Sequence, residues 1–324
     1  KLWISARAHV ITPWHMVKDQ QEESKASIAL GTTLRGIGPA YTDKVARQGL
    51  IMSHYINRQK RSRWLERYKL YDSGFAEFLS SHQDVMSEFF ATHHLVEPYV
   101  CHLESRLRLR LGEGAKVLCE GAQGTLLDVS HGTYPFVTSS HTIASGAFVS
   151  MGVSPNQSTR IIGIAKAYVT RVGEGPFPSE LMGSDGQKLA RLGNEFGATT
   201  GRPRRCGWLD AVALRYACEV NGFHEIFLNK VDILSGFDEI KLCSGYEHEK
   251  LGRLEYFPED VTEYPYLTPV YEVFPSWHLD DLKSQKSSLP KELERFLSRI
   301  EEICGVPVTR VGTGPGRDDY LLVK

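Results

Sequence analysis

The sequence predicts an α/β fold in which a mainly parallel central sheet is flanked by helices. Two observations support this class. Short apolar runs rich in Val and Ile, as buried strands are, recur at residues 116–120, 160–172, 225–234, 240–246 and 306–311. Segments with apolar residues at helical spacing lie between them. Strands that alternate with helices form open parallel sheets, because each helix carries the chain back to the same edge.

Helical periodicity is clearest in two segments. Apolar residues recur at helical spacing through 209–220 and 293–304, and Gly222 and Gly305 follow as helix stops. The amphipathic segment 75–111 is predicted to be helical throughout. Residues 247–290, rich in charge, proline and aromatic side chains, are predicted to form an irregular excursion. No clear linker interrupts the chain, so residues 1–324 are predicted to be one domain with insertions.

The composition is that of a globular chain with a net charge close to zero. Its 324 residues are 41% hydrophobic and 24% charged, with a formal net charge of -1. General binding to nucleic acid or to an anionic membrane is therefore not expected, and an anionic ligand needs a local basic pocket. No apolar run reaches the roughly 18 residues of a membrane span, and the first residues do not resemble a signal peptide. The six cysteines contain no C-x-x-C pair, which favours free thiols in a reducing, cytoplasmic setting over disulfides or zinc.

The segment 229–232 has the N-K-x-D pattern of guanine-binding proteins and follows a predicted strand. Guanine presents N1–H and the N2 amine on one edge, and one carboxylate, here Asp232, can accept hydrogen bonds from both. Adenine presents no such pair. The aliphatic stem of Lys230 can lie along the purine face. Four residues are a weak pattern alone, but α/β proteins bind ligands at the carboxyl ends of strands, which strengthens it.

A glycine-rich turn, Gly312-Thr313-Gly314, follows the last predicted strand. Its backbone N–H groups can bind a base carbonyl such as guanine O6. Taken alone, this segment is more simply an ordinary tight turn. Together with the N-K-x-D segment, it supplies the second half of a guanine site.

The loop 197–205 concentrates hydroxyl and guanidinium groups just before the helix predicted at 209. These groups belong to Thr199, Thr200, Arg202, Arg204 and Arg205. Arginine binds carboxylate or phosphate bidentately and threonine adds neutral donors, which indicates an anionic small molecule. A solvated basic loop is the alternative. Nucleic acid is less consistent, since neither interleaved aromatics nor a wider basic face accompanies the cluster.

Three further loops, at 31–41, 120–125 and 131–140, combine turn formers with polar side chains. Their polar residues and those that follow them include Thr33, Asp43, Lys44, Arg47, Gln123 and Thr138. Small residues let a ligand approach the backbone, and hydroxyls and cations suit a phosphate or a ribose. Plain surface turns would explain each loop if it stood alone.

Taken in order, these segments resemble the adenylosuccinate synthetase family. The matching runs cover nearly the whole chain, at residues 31–49, 120–140, 164–181, 193–210, 230–246 and 305–317. The resemblance implies a GTP-binding, P-loop-NTPase-like fold and a Mg2+-dependent ligase that joins IMP to L-aspartate. In the family, GTP phosphorylates O6 of IMP, and the aspartate amine then displaces phosphate from 6-phosphoryl-IMP, giving adenylosuccinate for AMP biosynthesis. Phosphorylation makes O6 a good leaving group, and catalysis of such transfer is mainly positioning and charge stabilisation.

The resemblance also implies residue roles. The IMP-binding residues are Thr33, Arg47, Gln123, Thr138 and Arg202. The aspartate-binding residues are Ala198, Thr199, Thr200, Gly201, Arg202, Pro203 and Arg204. The GTP-binding residues are Arg204, Lys230, Val231, Asp232, Gly312, Thr313 and Gly314. Gln123 is the catalytic residue assigned here, beside O6 of IMP, and Arg47 matches an arginine that reaches the partner subunit's IMP site, which implies a homodimer.

Some positions depart from the family pattern. Ser130 stands where an acidic residue is frequent, and His141 stands where Asn is common. The family's N-terminal phosphate loop and catalytic His loop have no counterpart in this chain, which begins at Lys1. The Mg2+ ligands and the catalytic acid and base are therefore expected in a preceding segment of a longer protein, and no metal ligand is assigned within this sequence. The alternatives are an inactive fragment and a guanine-nucleotide-binding protein without condensation activity.

Overall fold

The computed structural model describes residues 1–27, 29–155, 159–197, 201, 203–278 and 289–323. The α-helices in these ranges are α1 (Pro13–Lys25), α2 (Ile37–Val45), α3 (Met52–Tyr55), α4 (Arg58–Tyr71), α5 (Ser73–Ser81), α6 (Gln83–Ala91), α7 (His93–Val96), α8 (Leu103–Gly112), α9 (Ser145–Met151), α10 (Ser184–Leu192), α11 (Ala211–Asn221), α12 (Val231–Leu234) and α13 (Lys291–Cys304). The strands are β1 (Ile4–Ser5), β2 (Val100–Cys101), β3 (Ile162–Lys166), β4 (Tyr168–Arg171), β5 (Arg205–Asp210), β6 (Glu225–Asn229), β7 (Glu239–His248), β8 (Gly252–Leu254), β9 (Leu267–Pro275), β10 (Val308–Gly312) and β11 (Tyr320–Leu322).

The chain divides into two compact units, each with its own hydrophobic core. Unit 1 comprises Lys1–Ser130 and Val137–Gln157, and unit 2 comprises His131–Phe136 and Ser158–Lys324. The organisation of residues 1–324 as a single domain remains a prediction.

Unit 1 is mainly helical and its core is strongly aromatic. The buried side chains of this core are Trp14, Leu50, Tyr55, Trp64, Tyr68, Phe75, Phe78 and Met86. Helix α1 begins at a reciprocal cap, in which Thr12 accepts from the backbone of His15 and the His15 side chain accepts from the backbone of Thr12. The two short strands β1 and β2 pair in parallel.

Unit 2 contains two mixed sheets. In the first, the strand order is β11-β10-β6-β3, with β3, β6 and β10 parallel and β11 antiparallel at the edge. In the second, the order is β4-β5-β7-β8, with β9 also paired to β7; only β5 and β7 are parallel among these described pairs. The α/β class is confirmed, with parallel strands at the centre of the first sheet and antiparallel strands at its edge and in most of the second.

Two helices of unit 2 end where the sequence predicts. Helix α11 is capped by Asp210, which accepts from the backbone N–H of Ala213, and it ends at Gly222 with a left-handed φ of 64°. Helix α13 ends at Gly305 with φ 66°. Its buried stripe recurs at three- and four-residue spacing and consists of Leu293, Phe296, Leu297, Ile300 and Cys304. Burying this stripe fixes α13 against the unit 2 core.

Several element predictions were wrong in detail. Residues 116–120 form no strand, and Leu118 is 92% exposed. A strand needs a neighbour with which to exchange hydrogen bonds, and none of the described segments pairs with these residues. The apolar run 160–172 is two strands, β3 and β4, separated at Ala167, whose N–H donates to the carbonyl of Asn229. The run 225–234 changes from strand to helix at Lys230.

The segment 75–111 is not one helix. Helices α5, α6, α7 and α8 are separated by non-helical residues, by a 3-10 turn at Glu97–Tyr99 and by strand β2. Pro98 lacks the N–H that a continuing helix requires, which explains the largest break. Residues 247–275 are also more regular than predicted, because β8 and β9 both pair with β7. The remainder of that predicted excursion, 279–288, lies outside the described residues.

Candidate functional site

The N-K-x-D segment lies directly after strand β6, as predicted. Lys230 has φ 65°, so the chain turns sharply between β6 and α12. Asp232 is the second residue of α12, and its Oδ1 atom is buried with no hydrogen-bond partner among the described residues. Burial raises the pKa of Asp232. A buried carboxylate oxygen without a partner is costly, so this atom is suited to accept a hydrogen bond from a ligand.

A cavity of about 300 Å3 lies beside this turn. It is lined by Ile164, Ala165, Lys166, Asn229, Lys230 and Gly314. These residues belong to the carboxyl-terminal parts of β3 and β6 and to the turn after β10. The cavity therefore occupies the edge at which α/β sheets bind ligands, and it is at the small end of the range for small-molecule sites.

The glycine-rich turn closes against the N-K-x-D segment. A Cβ atom on Gly312 would lie 2.4 Å from Oδ1 of Asn229, so only glycine lets the two segments approach this closely. Gly314 is similarly close to Asp319, whose backbone carbonyl and carboxylate accept from the N–H groups of Thr313 and Gly316 at 2.8 and 2.7 Å. The structure thus brings together both halves of the predicted guanine site.

A buried carboxylate next to this site was not predicted from the sequence. Glu195 is 0% exposed, and its oxygens accept from Lys230 at 2.6 Å, from Arg204 at 2.7 Å and from Lys166 at 2.9 Å. The hydroxyl of Tyr168 donates to the same carboxylate at 2.6 Å. Burial alone would raise its pKa, but these donors lower the pKa of Glu195 to about 2. Glu195 lies inside the run 193–210 that carries the family resemblance. The sequence therefore marks its position, but it gives no sign of the three cations that meet around its carboxylate.

The predicted aspartate loop is described only at its ends. Ala198, Thr199, Thr200 and Arg202 lie outside the described residues. Gly201 has φ 64° and its N–H donates to the carbonyl of Gly197. Pro203 pairs with Phe196 in an isolated bridge. Arg204 faces Glu195, as given above.

The guanidinium of Arg205 is not free to bind an anion, although the sequence places it in the anion-binding cluster. It pairs with both carboxylate oxygens of Glu180 and donates to the carbonyls of Gly173 and Gly175. These contacts satisfy the planar donor fork of the guanidinium. Arg205 therefore fixes the chain at the start of strand β5, and Arg204, the other arginine in the described part of the loop, is paired with Glu195.

In unit 1, hydrogen bonds to buried carboxylates fix the loops that carry predicted IMP ligands. Asp19, on α1, accepts from the hydroxyl of Thr32 at 3.1 Å and from the N–H of Gly36 at 2.8 Å, which fixes the turn that carries Thr33. Thr33 itself is exposed. Arg47 is also exposed and has φ 64° in the turn after α2.

Asp43 and Lys44, which follow this loop in the sequence, contact other side chains of unit 1. The Asp43 carboxylate is buried and bonded to His15 and Tyr68, and Lys44 lies over the ring of Tyr41. The Asp43 carbonyl also accepts from the N–H groups of Gln48 and Gly49. These contacts hold the turn around Arg47 through Oδ2 and the backbone carbonyl, while Oδ1 of Asp43 is buried with no hydrogen-bond partner among the described residues.

A second buried acid organises the segment that carries Gln123 and Thr138. Asp128 is 0% exposed and accepts from the backbone N–H groups of Ser130, Thr142 and Ile143. The atypical His141 lies 3.4 Å from the same carboxylate. Thr138 is half-buried and its N–H donates to the carbonyl of Leu127, whereas Gln123 is exposed with φ 62°.

Unusual backbone conformations coincide with the predicted ligands. The non-glycine residues with positive φ among the described residues are Leu34, Arg47, Gln123, Asn194 and Lys230. Arg47, Gln123 and Lys230 are predicted ligands, Leu34 follows Thr33, and Asn194 precedes Glu195. Such conformations cost on the order of 1–3 kcal/mol each and concentrate at functional sites, so their placement supports these loops as the site.

The predictions about metal binding, thiols and membrane spans can be compared with the structure over the described residues. In this part of the chain, no three His, Cys, Asp or Glu side chains are grouped so that they could hold a metal ion. All six cysteines are free thiols, as expected. Every helix within the described ranges is too short or too polar to cross a bilayer.

Comparisons with known proteins identify the family of this chain. The family model described as adenylosuccinate synthetase matches residues 1–321. Adenylosuccinate synthetase of Helicobacter hepaticus is 42% identical, and the alignment covers 100% of this chain and 78% of that protein. The enzyme of Geotalea daltonii is 44% identical, with 100% of this chain and 76% of that protein covered.

Solved structures give the same result for the fold. The fully ligated adenylosuccinate synthetase of Plasmodium falciparum matches with a TM-score of 0.93 at 34% identity, covering 100% of this chain and 78% of that one. A cyanophage S-2L succinoaminodeoxyadenylate synthetase, solved with dGMP and dATP, matches with a TM-score of 0.58 at 21% identity, over 99% of this chain and 69% of that one. At that identity the second match supports the fold alone. The chain belongs to the adenylosuccinate synthetase family, the GTP-dependent ligases that join IMP to L-aspartate to form adenylosuccinate in purine nucleotide biosynthesis.

Proposed function

We propose that GTP binds in unit 2 with its guanine base in the cavity beside Asp232, and that its γ-phosphoryl group is transferred to O6 of IMP to give 6-phosphoryl-IMP. The observation that carries this proposal is the buried Oδ1 atom of Asp232, which has no hydrogen-bond partner among the described residues and lies two residues after Lys230, a residue that lines the cavity at the end of β6. A buried acceptor of this kind suits a base edge with two adjacent N–H donors, and guanine has such an edge.

The neighbouring residues complete a guanine site. The stem of Lys230 lines the cavity and can cover one face of the purine. The turn at Gly312, Thr313 and Gly314 can offer backbone N–H groups to guanine O6, while Val231, buried in the unit 2 core, fixes the start of α12. Arg204 contributes positive charge toward the nucleotide.

The remaining loops are assigned to IMP and aspartate. Thr33 and Thr138 bind the IMP phosphate, Gln123 contacts the base near O6, and Arg202 contacts the ribose. Arg47, exposed on its turn, extends to the IMP site of a second subunit in a homodimer. The loop comprising Ala198, Thr199, Thr200, Gly201, Arg202, Pro203 and Arg204 binds the carboxylates of aspartate.

The chemistry follows from this arrangement. N1 of IMP loses its proton as O6 takes the γ-phosphoryl group and GDP leaves, which gives C6 a good leaving group. The aspartate amine then forms the C6–N bond and gives up one proton to water, and phosphate leaves with the former O6. Mg2+, when bound with the triphosphate, neutralises phosphate charge. No residue of this chain is assigned as its ligand. We expect the protein to act in the cytoplasm.

The substitution Asp232→Asn tests the guanine assignment. The amide replaces one acceptor with a donor, which suits xanthine, whose C2 carries a carbonyl in place of the amine. We expect GDP affinity to fall about 100-fold and XDP affinity to rise, measured by calorimetry on the full chain. Asp238→Asn is the matched control, since Asp238 is exposed on the same stretch of chain. Unchanged GDP affinity in Asp232→Asn would place the base elsewhere.

Condensation is tested separately from GTP binding. Adenylosuccinate formation and aspartate-dependent GTP turnover in the presence of IMP are the diagnostic readouts. GTP hydrolysis that is indifferent to IMP and aspartate would support instead the guanine-nucleotide-binding alternative.

A further inference from the structure

Glu195 joins parts of unit 2 that are far apart in the sequence. Its carboxylate contacts Lys166 at the end of β3, Tyr168 at the start of β4, Arg204 before β5 and Lys230 after β6. The carboxylate is fully buried, whereas Lys166, Arg204 and Lys230 are each 28–32% exposed. One buried negative charge therefore faces three cations whose outer surfaces reach solvent.

The charge balance of this cluster favours an anionic ligand. A single carboxylate neutralises only one of three cations, so positive charge remains at the surface beside the cavity. Burial lowers the pKa of Lys166; the contact with Glu195 opposes this effect, and the neighbouring cations Lys230 and Arg204 add to it. Glu195 thus holds the cations together without cancelling their attraction for a nucleotide.

Backbone contacts around Glu195 join the described ends of the aspartate loop. The N–H of Arg204 donates to the Glu195 carbonyl at 2.9 Å, and Phe196 bridges to Pro203. On the other side, Asn194 has φ 50°, and the carbonyl of Gly193 accepts from Nζ of Lys230 at 2.6 Å. Both ends of the loop 196–203 are therefore tied, through Glu195 and its neighbours, to the lysine of the N-K-x-D segment.

We propose that Glu195 is a positioning residue that holds Arg204, at the described end of the aspartate loop, together with Lys230 of the guanine element through its buried contacts with both. This inference rests on the proposed guanine and aspartate sites. It assigns to one buried carboxylate the task of holding two binding elements in a shared geometry, so that loss of its charge weakens both GTP and aspartate binding. No substrate contact is assigned to Glu195 itself.

The test is Glu195→Gln in the full chain, which keeps the side-chain shape and removes the charge. We expect the Kd for GDP and the KM for aspartate each to rise about tenfold, with a smaller change in kcat. The matched control is Glu180→Gln, which removes a carboxylate from Arg205 in the same unit without touching Arg204 or Lys230. It should lower the melting temperature but leave both constants unchanged.

The outcomes separate this inference from the site assignment. If Asp232→Asn weakens GDP binding and folded Glu195→Gln does not, the positioning role is refuted and the guanine site stands. If Asp232→Asn also leaves GDP binding unchanged, the guanine site itself is wrong. An equal loss of affinity in Glu180→Gln would reduce the role of Glu195 to general stability.

A milder variant keeps the test usable if Glu195→Gln does not fold. Tyr168→Phe removes one hydrogen bond to Glu195 and retains the charge of the carboxylate. We expect a loss of GDP affinity of about threefold, which the same calorimetric titration resolves. No change in that variant would count against the proposal.

Discussion

The guanine region of unit 2 and the ligand loops of unit 1 are built on different principles. In unit 2, Asn229, Asp232 and Gly312 lie at or just beyond the ends of buried strands. Oδ1 of Asp232 has no hydrogen-bond partner within the part of the chain that the structure describes. In unit 1, Thr33 and Gln123 are exposed on irregular turns. Backbone N–H groups near these turns donate hydrogen bonds to buried carboxylates. The contrast teaches that sheet edges position ligands through regular structure, whereas loops need dedicated side-chain anchors.

The largest expected effect in this comparison is at the anchor Asp128. Asp128→Ala leaves buried backbone N–H groups, among them those of Thr142 and Ile143, without acceptors. We expect a loss of about 3 kcal/mol in the free energy of unfolding, measured by urea denaturation. IMP affinity should fall with it, while GDP affinity is retained in the folded protein.

The control for this prediction is Asp84→Ala, at an exposed position on α6. It should change stability by less than about 0.5 kcal/mol. Equal effects of the two substitutions would show that Asp128 is no special anchor, and the contrast between the two regions would lose its basis.

An effect of similar size is expected from titration of Glu195 in unit 2. Its pKa is about 2 in the folded protein against 4.5 for the unperturbed group. Because the folded pKa is the lower one, the stabilisation is present above pH 4.5 and is lost as the pH falls toward 2. It amounts to about 3.5 kcal/mol at most, at about 1.4 kcal/mol for each unit between the two pKa values.

Urea unfolding of the wild type and of Glu195→Gln between pH 7 and pH 3 measures this contribution. The stability difference between the two proteins should be constant above about pH 5.5 and shrink below pH 4.5. A difference that stays the same throughout would mean that ionised Glu195 is not what stabilises the cluster.

The sequence predicted those parts of the fold and site that depend on local signals. Gly222 and Gly305 end their helices because left-handed termini favour glycine, and this preference is visible in the sequence. The N-K-x-D segment and the Gly312 turn are short motifs that follow apolar strands. Their proximity could be predicted because neighbouring parallel strands end at one edge of a sheet.

Other features depend on contacts between distant residues and could not be predicted. Glu195 acquires its role only when Lys166, Arg204 and Lys230 meet around it. The apolar run at 116–120 has strand composition, yet composition supplies no pairing partner. Pairing of β9 with β7 likewise gives regular structure to a segment whose composition indicates a loop.

The most direct test of the guanine assignment is nucleotide selectivity of the unmodified chain. Calorimetric titration with GDP, IDP and ADP compares three bases that differ at the edge facing Asp232. The account predicts that GDP binds at least about 100-fold more tightly than ADP, with IDP between them because hypoxanthine keeps N1–H and lacks the N2 amine. ADP binding as tightly as GDP would contradict recognition of guanine by Asp232.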